Sequence, residues 1–210
     1  NDAAYAFTAS NNVIFSGTGA RAGFDGAGTI TYTGTISGNG SLVKNGSGDA
    51  MLTAANSFLG NVQVNANRLR VSDDAQLGNS GNAVTLAGGY LGNASGTSVT
   101  LARNVQVTTS GGFDVQDSEL VVNGVISGTA TKRGAGTVTF GGAAPNSAMD
   151  LSMSAGTAVL DKSGAVAVRN ITGVGSSTTV RLAGTGGNQI AGNVSLAGGT
   201  LDLNGRSEMI

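Results

Sequence analysis

Residues 34–71, GTISGNGSLVKNGSGDAMLTAANSFLGNVQVNANRLRV, open on Gly-x-Ile-Ser-Gly and carry Lys-x-Gly-x-Gly at their centre; both features return in a shorter copy from Gly124, GVISGTATKRGAGTVTFGGAA. A chain that repeats its turns and an alternating strand in the same order is built of stacked modules, and stacking narrows its possible folds more than any other feature. Matching landmarks time the stack. Lys44 and Lys132 lie 88 residues apart, and Leu86 and Leu196, in VTLAGG and VSLAGG, lie 110 apart. Asn61 and Asn104, each before Val-Gln-Val, are separated by 43, and Asn104 and Asn193 by 89. All four spacings fall near whole multiples of about 22, the length expected of one solenoid turn.

Within each turn, apolar and polar residues alternate at period two, which points one side of an extended segment inward. The pairs are Val13 and Phe15, Ile30 and Tyr32, Val62 and Val64, Leu69 and Val71, Val84 and Leu86, Val99 and Leu101, and Val105 and Val107. They continue as Leu120 and Val122, Val138 and Phe140, Val166 and Val168, Val180 and Leu182, Val194 and Leu196, and Leu201 and Leu203. Between them lie Gly, Asn, Ser and Thr clusters such as 37–41, 79–82 and 184–188, where Gly and Asn tolerate the backbone angles of tight corners. No segment keeps a helical period. With 36 Gly, 19 Asn, one Pro and two Glu, the chain is rich in turn formers, and its inward Val/Leu row argues against disorder. A sandwich has no reason to hold a 22-residue phase along the chain, whereas a coil does. The expected fold is all-β, a right-handed parallel β-helix (solenoid) of about 22 residues per turn. Nine or ten such turns would make a rod on the order of 45 Å long.

No Pro-rich run or charge block divides the chain, so residues 1–210 read as one β-helix segment, with repeat-like units at 34–92 and, weaker, 124–145. Eleven basic and twelve acidic side chains are scattered with no His, and nothing in that balance attracts nucleic acid or an anionic membrane. No span of some 18 apolar residues offers direct membrane insertion, and residues 1–10 lack the basic start and apolar core of a secretory leader. The chain is therefore read as soluble and as a processed or excised piece. The absence of Cys has two readings, a protein with no use for thiols or a chain exported unfolded, which a disulfide-closed loop would block.

Residues 34–92 resemble the passenger-associated transport repeat of bacterial autotransporters, the type V secretion proteins. The resemblance rests on the Gly-x-Gly-x-Leu-x-Lys-x-Gly-x-Gly run (residues 38–48), Leu52-Thr53, Ala55-Asn56, and the strand with Leu69 and Val71. In the copy from Gly124 the Leu before Lys132 and two residues of spacing are lost, and AAPNSAMDL replaces the Asn-rich continuation. The segment GGTLDLNGRSE (198–208) also resembles passenger strands. What the resemblance implies is an adhesin-like passenger of a Gram-negative bacterium, exported across the outer membrane to the cell surface by its own C-terminal translocator barrel. No run of membrane strands closing on an aromatic end occurs near Ile210, so that barrel is not in this sequence. A virulence role, and contact with a host surface or neighbouring bacterial cells, are expectations of the same kind. A supporting role in secretion is expected on physical grounds, independent of the family: each turn folds on the last and opposes backward sliding through the pore.

The alternative is a carbohydrate-active β-helix of the tailspike or polysaccharide lyase type, which would need clustered carboxylates or a carboxylate with Arg and Lys. Its candidates are Asp73 with Asp74, read as a solvated turn, and Asp114 and Asp117 with Glu119, read as a hydrated corner. Catalytic β-helices carry long loops beside a groove; here 143–154 is the main irregularity. Without His or Cys, triad-type catalysis and imidazole or thiolate metal sites are excluded. Gly38-x-Gly40 and Gly46-x-Gly48 lack the helix that a phosphate loop needs and read as corners. Gly111-Gly112 and Gly198-Gly199 lack the Asp ladder of calcium repeats. Thr31-x-Thr33 and Thr137-x-Thr139 recur too rarely for an ice-binding face. The sequons at Asn45 and Asn170 are expected by chance. Without Trp, and with only Tyr5, Tyr32 and Tyr90, any binding would be polar and multivalent. No catalytic, cofactor or metal residue is assigned, and no enzyme activity is expected.

Overall fold

The structure, a computed structural model, describes residues 6–17, 19–185 and 187–209. Residues 1–5, and with them Tyr5 and half of the opening decapeptide, lie outside the described residues, as do Thr18, Gly186 of the 184–188 cluster and Ile210. Every ladder between strands among the described residues is parallel, and only the isolated bridge of Gly175 with Gly198 runs antiparallel. Each strand pairs with its counterpart one turn away, from 18 residues on (Leu120 with Val138) to 23 (Val13 with Ile36). The coil makes about 9 turns of about 21 residues, close to the expected 22. It is the parallel β-solenoid that the alternation pointed to.

Three faces enclose the core. The first runs from Phe7–Ala9 through Ile30–Tyr32, Ala50–Leu52, Arg68–Val71, Tyr90–Asn93 and Gly112–Asp114 to Met149–Met153, Asn170–Gly175 and Val194–Ala197. The second begins with Val13–Phe15 and Ile36–Gly38 and resumes with Val99–Leu101, Glu119–Val122, Thr137–Phe140, Gly156–Leu160, Thr178–Leu182 and Thr200–Asp202. The third stacks Arg21–Phe24, Ser41–Lys44, Val62–Val64, Val84–Leu86 and Val105–Val107. The eight-residue strand Ile126–Arg133 bends through a corner: Ile126 and Ser127 continue the third face, while Thr131 to Arg133 pair with the first.

One inward residue per position forms each column of the core, as Leu42, Val62, Val84, Val105 and Ile126 do on the third face, all fully or almost fully buried. On the second face two rungs lack strand pairing. Phe58 and the 3-10 turn Asp74–Leu77 occupy them, and Phe58 and Leu77 are wholly buried there. Phe58 meets Phe15 edge-on at 6.3 Å between ring centres, so an aromatic fills the column where the ladder breaks. That 3-10 turn is the one helical element among the described residues.

The landmark spacings carry a correction. Lys44 pairs with Val64, Val64 with Leu86 and Leu86 with Val107, and Gly128 follows beside the Val107 carbonyl. Four turns from Lys44 therefore end at Gly128. Lys132 lies on the first face, paired with Phe113, whereas Lys44 lies on the third. Leu196 likewise pairs with Val174 on the first face, whereas Leu86 stands on the third. Of the four landmarks only Asn61 to Asn104, two turns on one face, measures whole turns; the other three include an extra third of a turn. Turns slightly shorter than 22 hide that extra third inside a multiple of 22. The motif is thus a local unit of corner and strand that the coil carries on different faces. In both copies the last Gly of Gly-x-Ile-Ser-Gly takes a positive φ, +90° at Gly38 and +89° at Gly128.

Three further expectations change. Val166 and Val168 form no strand; Val168 makes one bridge, to Ile190, and Ala167 is the buried neighbour. The irregular stretch 143–154 contains the well-paired strand Met149–Met153, because the wholly buried Asn146 pins the chain between the exposed residues 143–145 and 147–148. Leu196 and Leu203 remain about half exposed, since no described turn stacks on theirs.

Candidate functional site

The acidic candidates part company in the structure. Asp73 caps the 3-10 turn by accepting the Ala75 amide at 2.8 Å. Asp74 instead holds Arg103, whose guanidinium is almost fully buried and also donates to the carbonyls of Leu77 and Asn79. The pair is thus one cap and one half of an ion pair. Asp114 is 4% exposed in a first-face strand, between Arg133 at 2.7 Å and Arg68 at 3.4 Å. Glu119 accepts from the Thr139 hydroxyl on the second face. Of the stretch read as a hydrated corner only Asp117 fits, exposed and held by Ser95 and the Gly96 amide, contacts that lower its pKa. The three acids do not converge.

Asp114 belongs to a chain of charges that climbs the first face. Asp49 accepts from Arg68 at 2.5 Å and Arg70 at 2.9 Å, Arg68 reaches on to Asp114, and Arg133 beside Asp114 stacks 3.5 Å above the Tyr90 ring. Charges so satisfied by neighbours one or two turns away tie rungs together. Asp150 is similarly held by Arg169 and Asn170, and the Arg169 contact keeps its carboxyl below the usual range. Among the described residues no three His, Cys, Asp or Glu side chains gather where a metal ion could sit.

The repeat's own polar residues face inward. Lys44 and Lys132 are at most 1% exposed. Each ammonium donates to the carbonyl two residues on, Gly46 or Gly134, and to one in the following turn, Ala66 at 3.2 Å or Ala155 at 3.2 Å. At a corner the ladder leaves carbonyls unpaired, and the lysine satisfies them on two turns at once. Burial lowers the Lys132 pKa to about 8, with the Asp114 charge opposing, and lowers that of Lys44, with Asp49 and Asp25 opposing. The wholly buried Lys162, donating to the Gly124 carbonyl at 3.3 Å, is shifted the same way by burial. The glycines of Lys-x-Gly-x-Gly answer a steric need: a Cβ on Gly46 or Gly48 would overlap the carbonyl of Gly26 or Gly28 one turn below.

Asparagines supply the second brace. Asn56 accepts the Ile36 amide at 2.7 Å and donates to Gln76 at 2.6 Å, bridging three turns. Asn146 repeats this in the second copy between Ile126 and Ala167. Sequence reading found these residues as parts of a pattern but not as braces. Their signal was the return of Asn 20 residues after each Gly-x-Ile-Ser-Gly isoleucine.

The outward side of the third face carries two rows of mostly polar or small side chains. Val43, Gln63, Thr85, Gln106 and Ser127 stack in one row, one per rung. Asn61, Ala83, Asn104 and Val125 stack beside them, each carbonyl accepting from the rung before. Two open depressions of about 150 and 310 Å3 lie between the rows and share Asn61 and Thr85. Asn61 and Asn104 each accept the amide of the next turn, from Ala83 and Val125, at 2.9 Å. A larger hollow of about 400 Å3, at the corner of Thr108 and Thr129, is lined by hydroxyls and carries no charged group.

Comparison with known proteins finds a likeness to an autotransporter adhesin. Over 155 residues, 72% of the chain, it is 31% identical to the Adhesin BmaC autotransporter of Brucella suis biovar 1 (strain 1330). The match spans 4% of that protein's length. No protein-family model matches the chain. No solved structure matches it. Similarity to an autotransporter adhesin, together with a parallel β-solenoid, fits a structural segment of an autotransporter passenger.

Proposed function

We propose that this chain is a non-catalytic rod segment of an autotransported, surface-exposed passenger, carried out by the C-terminal translocator barrel of the full-length protein. In this reading residues 1–210 are one β-helical segment of a larger passenger, and 34–92 and 124–145 are its transport repeats. The observation that carries it is the likeness to an autotransporter adhesin over 72% of the chain, in a coil whose turns are nearly uniform. Four acidic side chains support a structural role, because Asp49, Asp74, Asp114 and Asp150 are each held by an arginine.

The rod supports secretion by folding. Outside the cell there is no ATP, and each turn that buries its Val/Leu pair and saturates the backbone of the previous edge releases free energy as the chain emerges. Adhesion or cell aggregation follows from the same geometry, since a long polar face repeats weak contacts. Its partners would be a host surface or neighbouring bacterial cells. The test replaces Val62 and Leu69 with Asp in the full-length gene and measures surface-displayed passenger and its protease resistance. Both are expected to fall sharply. Unchanged display and resistance would sink the proposal.

A further inference from the structure

The third face offers an arrangement that the repeat does not explain. Asn61 and Asn104 are exposed at matching positions two turns apart. Because the backbone amides of Ala83 and Val125 occupy their Oδ1 atoms, their Nδ2 groups are left outward as donors, with no partner among the described residues. Gln106, Thr85 and Ser127 stand in the adjacent row, likewise without a side-chain hydrogen bond among the described residues. One rung after each amide comes a small apolar surface, Ala83 after Asn61 and Val125 after Asn104, the latter 37% exposed. Arg21, at the N-terminal end of the same trough, is the one charged group lining it.

Planar amides at fixed spacing, separated by small apolar patches, suit a sugar chain: amides meet hydroxyl pairs, and the C–H faces of the rings rest on Ala83 and Val125. Successive rungs are roughly 4.8 Å apart, and a β-1,4-linked hexopyranose ribbon advances by a similar distance per ring. A near-absence of charge favours a neutral chain over a polyanion, and a trough that follows the rod axis favours an extended chain over a coiled one. We propose that the trough formed by Asn61, Thr85, Ala83, Asn104, Gln106 and Val125 binds a neutral, extended β-linked polysaccharide along the rod axis. This deepens the adhesive reading above and rests on it only for where the trough is displayed. Binding is read on the isolated chain and display on cells, so the two fail separately.

The experiment titrates the folded 210-residue chain with cellohexaose, following side-chain amide signals by NMR, with maltohexaose as the coiled comparison. Cellohexaose is expected to shift Asn61, Asn104 and Gln106, with maltohexaose much weaker. The double variant Asn61→Asp/Asn104→Asp keeps the acceptor that braces the next turn while replacing the outward donor, and should bind at least about tenfold more weakly. Asn12→Asp alters an equivalent brace beside the second face, to the Thr35 amide, and should bind as the parent does. Should the double variant not fold, Gln106→Glu carries the same comparison, because its side chain braces nothing. Absence of shifts, shifts centred elsewhere, equal response to maltohexaose, or undiminished binding by the variants would overturn the proposal. Sugar-free, concentration-dependent broadening of the same amides would also overturn it, by identifying the occupant as a second copy of the chain.

Discussion

Lys132 shows how a residue can be visible in a sequence while its role is not. Its place in Lys-x-Gly-x-Gly was plain, but charge suggests an outward side chain, and only the stacked coil creates the unpaired corner carbonyls that bring it inward. With its pKa lowered to about 8, the folded state binds fewer protons than the unfolded state between there and the ordinary 10.5. Stability should therefore rise with pH through that interval, by at most about 1.4 kcal/mol per pH unit from this group. Lys44 and Lys162 act in the same direction, and the raised pKa of buried Tyr32 opposes them above its ordinary 10. Urea denaturation at pH 7.5 and 9.5 should show the gain in the parent and a smaller one in Lys132→Met, and identical gains would contradict the assignment. Asn56→Ala leaves the Ile36 amide and Gln76 carbonyl unpaired and should cost about 1–3 kcal/mol. Asn56→Asp keeps the first bond and should cost less in the same titration.

Strands were legible where both inward residues are large and branched, as in Val62 to Val64 and Val84 to Leu86. Others went unseen because the inward positions hold small or charged residues, such as Ala50 with Leu52, Ala158 with Leu160 and Ala130 with Lys132. Alternation in apolar character is the signal, and Ala or Lys at a buried position erases it. The face of each strand could not be read, because turns of 18 to 23 residues let a third of a turn pass as part of a whole number. Position within the stack also sets the value of each strand's side chains. Leu69 is fully buried and Leu196 half exposed, so Leu69→Ala should cost about 2–5 kcal/mol and Leu196→Ala well under half as much by chemical denaturation. Equal costs would mean that Leu196 is covered as Leu69 is.

At the scale of the whole molecule, the fold was readable because a solenoid repeats one decision many times, and the inward row of valines and leucines records it at each turn. The candidate site was less so. Which side chains converge depends on corners, and a corner carried Asp114 to one face and Glu119 to another. Trough residues such as Asn61 and Asn104 gain meaning only when residues 43 apart in sequence become second neighbours in a stack. The central claim is that each turn is a unit that rests on the one before, and paired deletions test it most directly. Removing residues 84–104, one turn by the pairing of Val84 with Val105, should leave a cooperatively unfolding β protein. Its maximum dimension by small-angle X-ray scattering should be shorter by roughly 4.8 Å. Removing only residues 84–94 should destroy the cooperative transition, because every later side chain is set out of phase with the core. If both deletions fold equally well, or if the whole-turn deletion unfolds as the half-turn one does, the stacked-turn account is wrong.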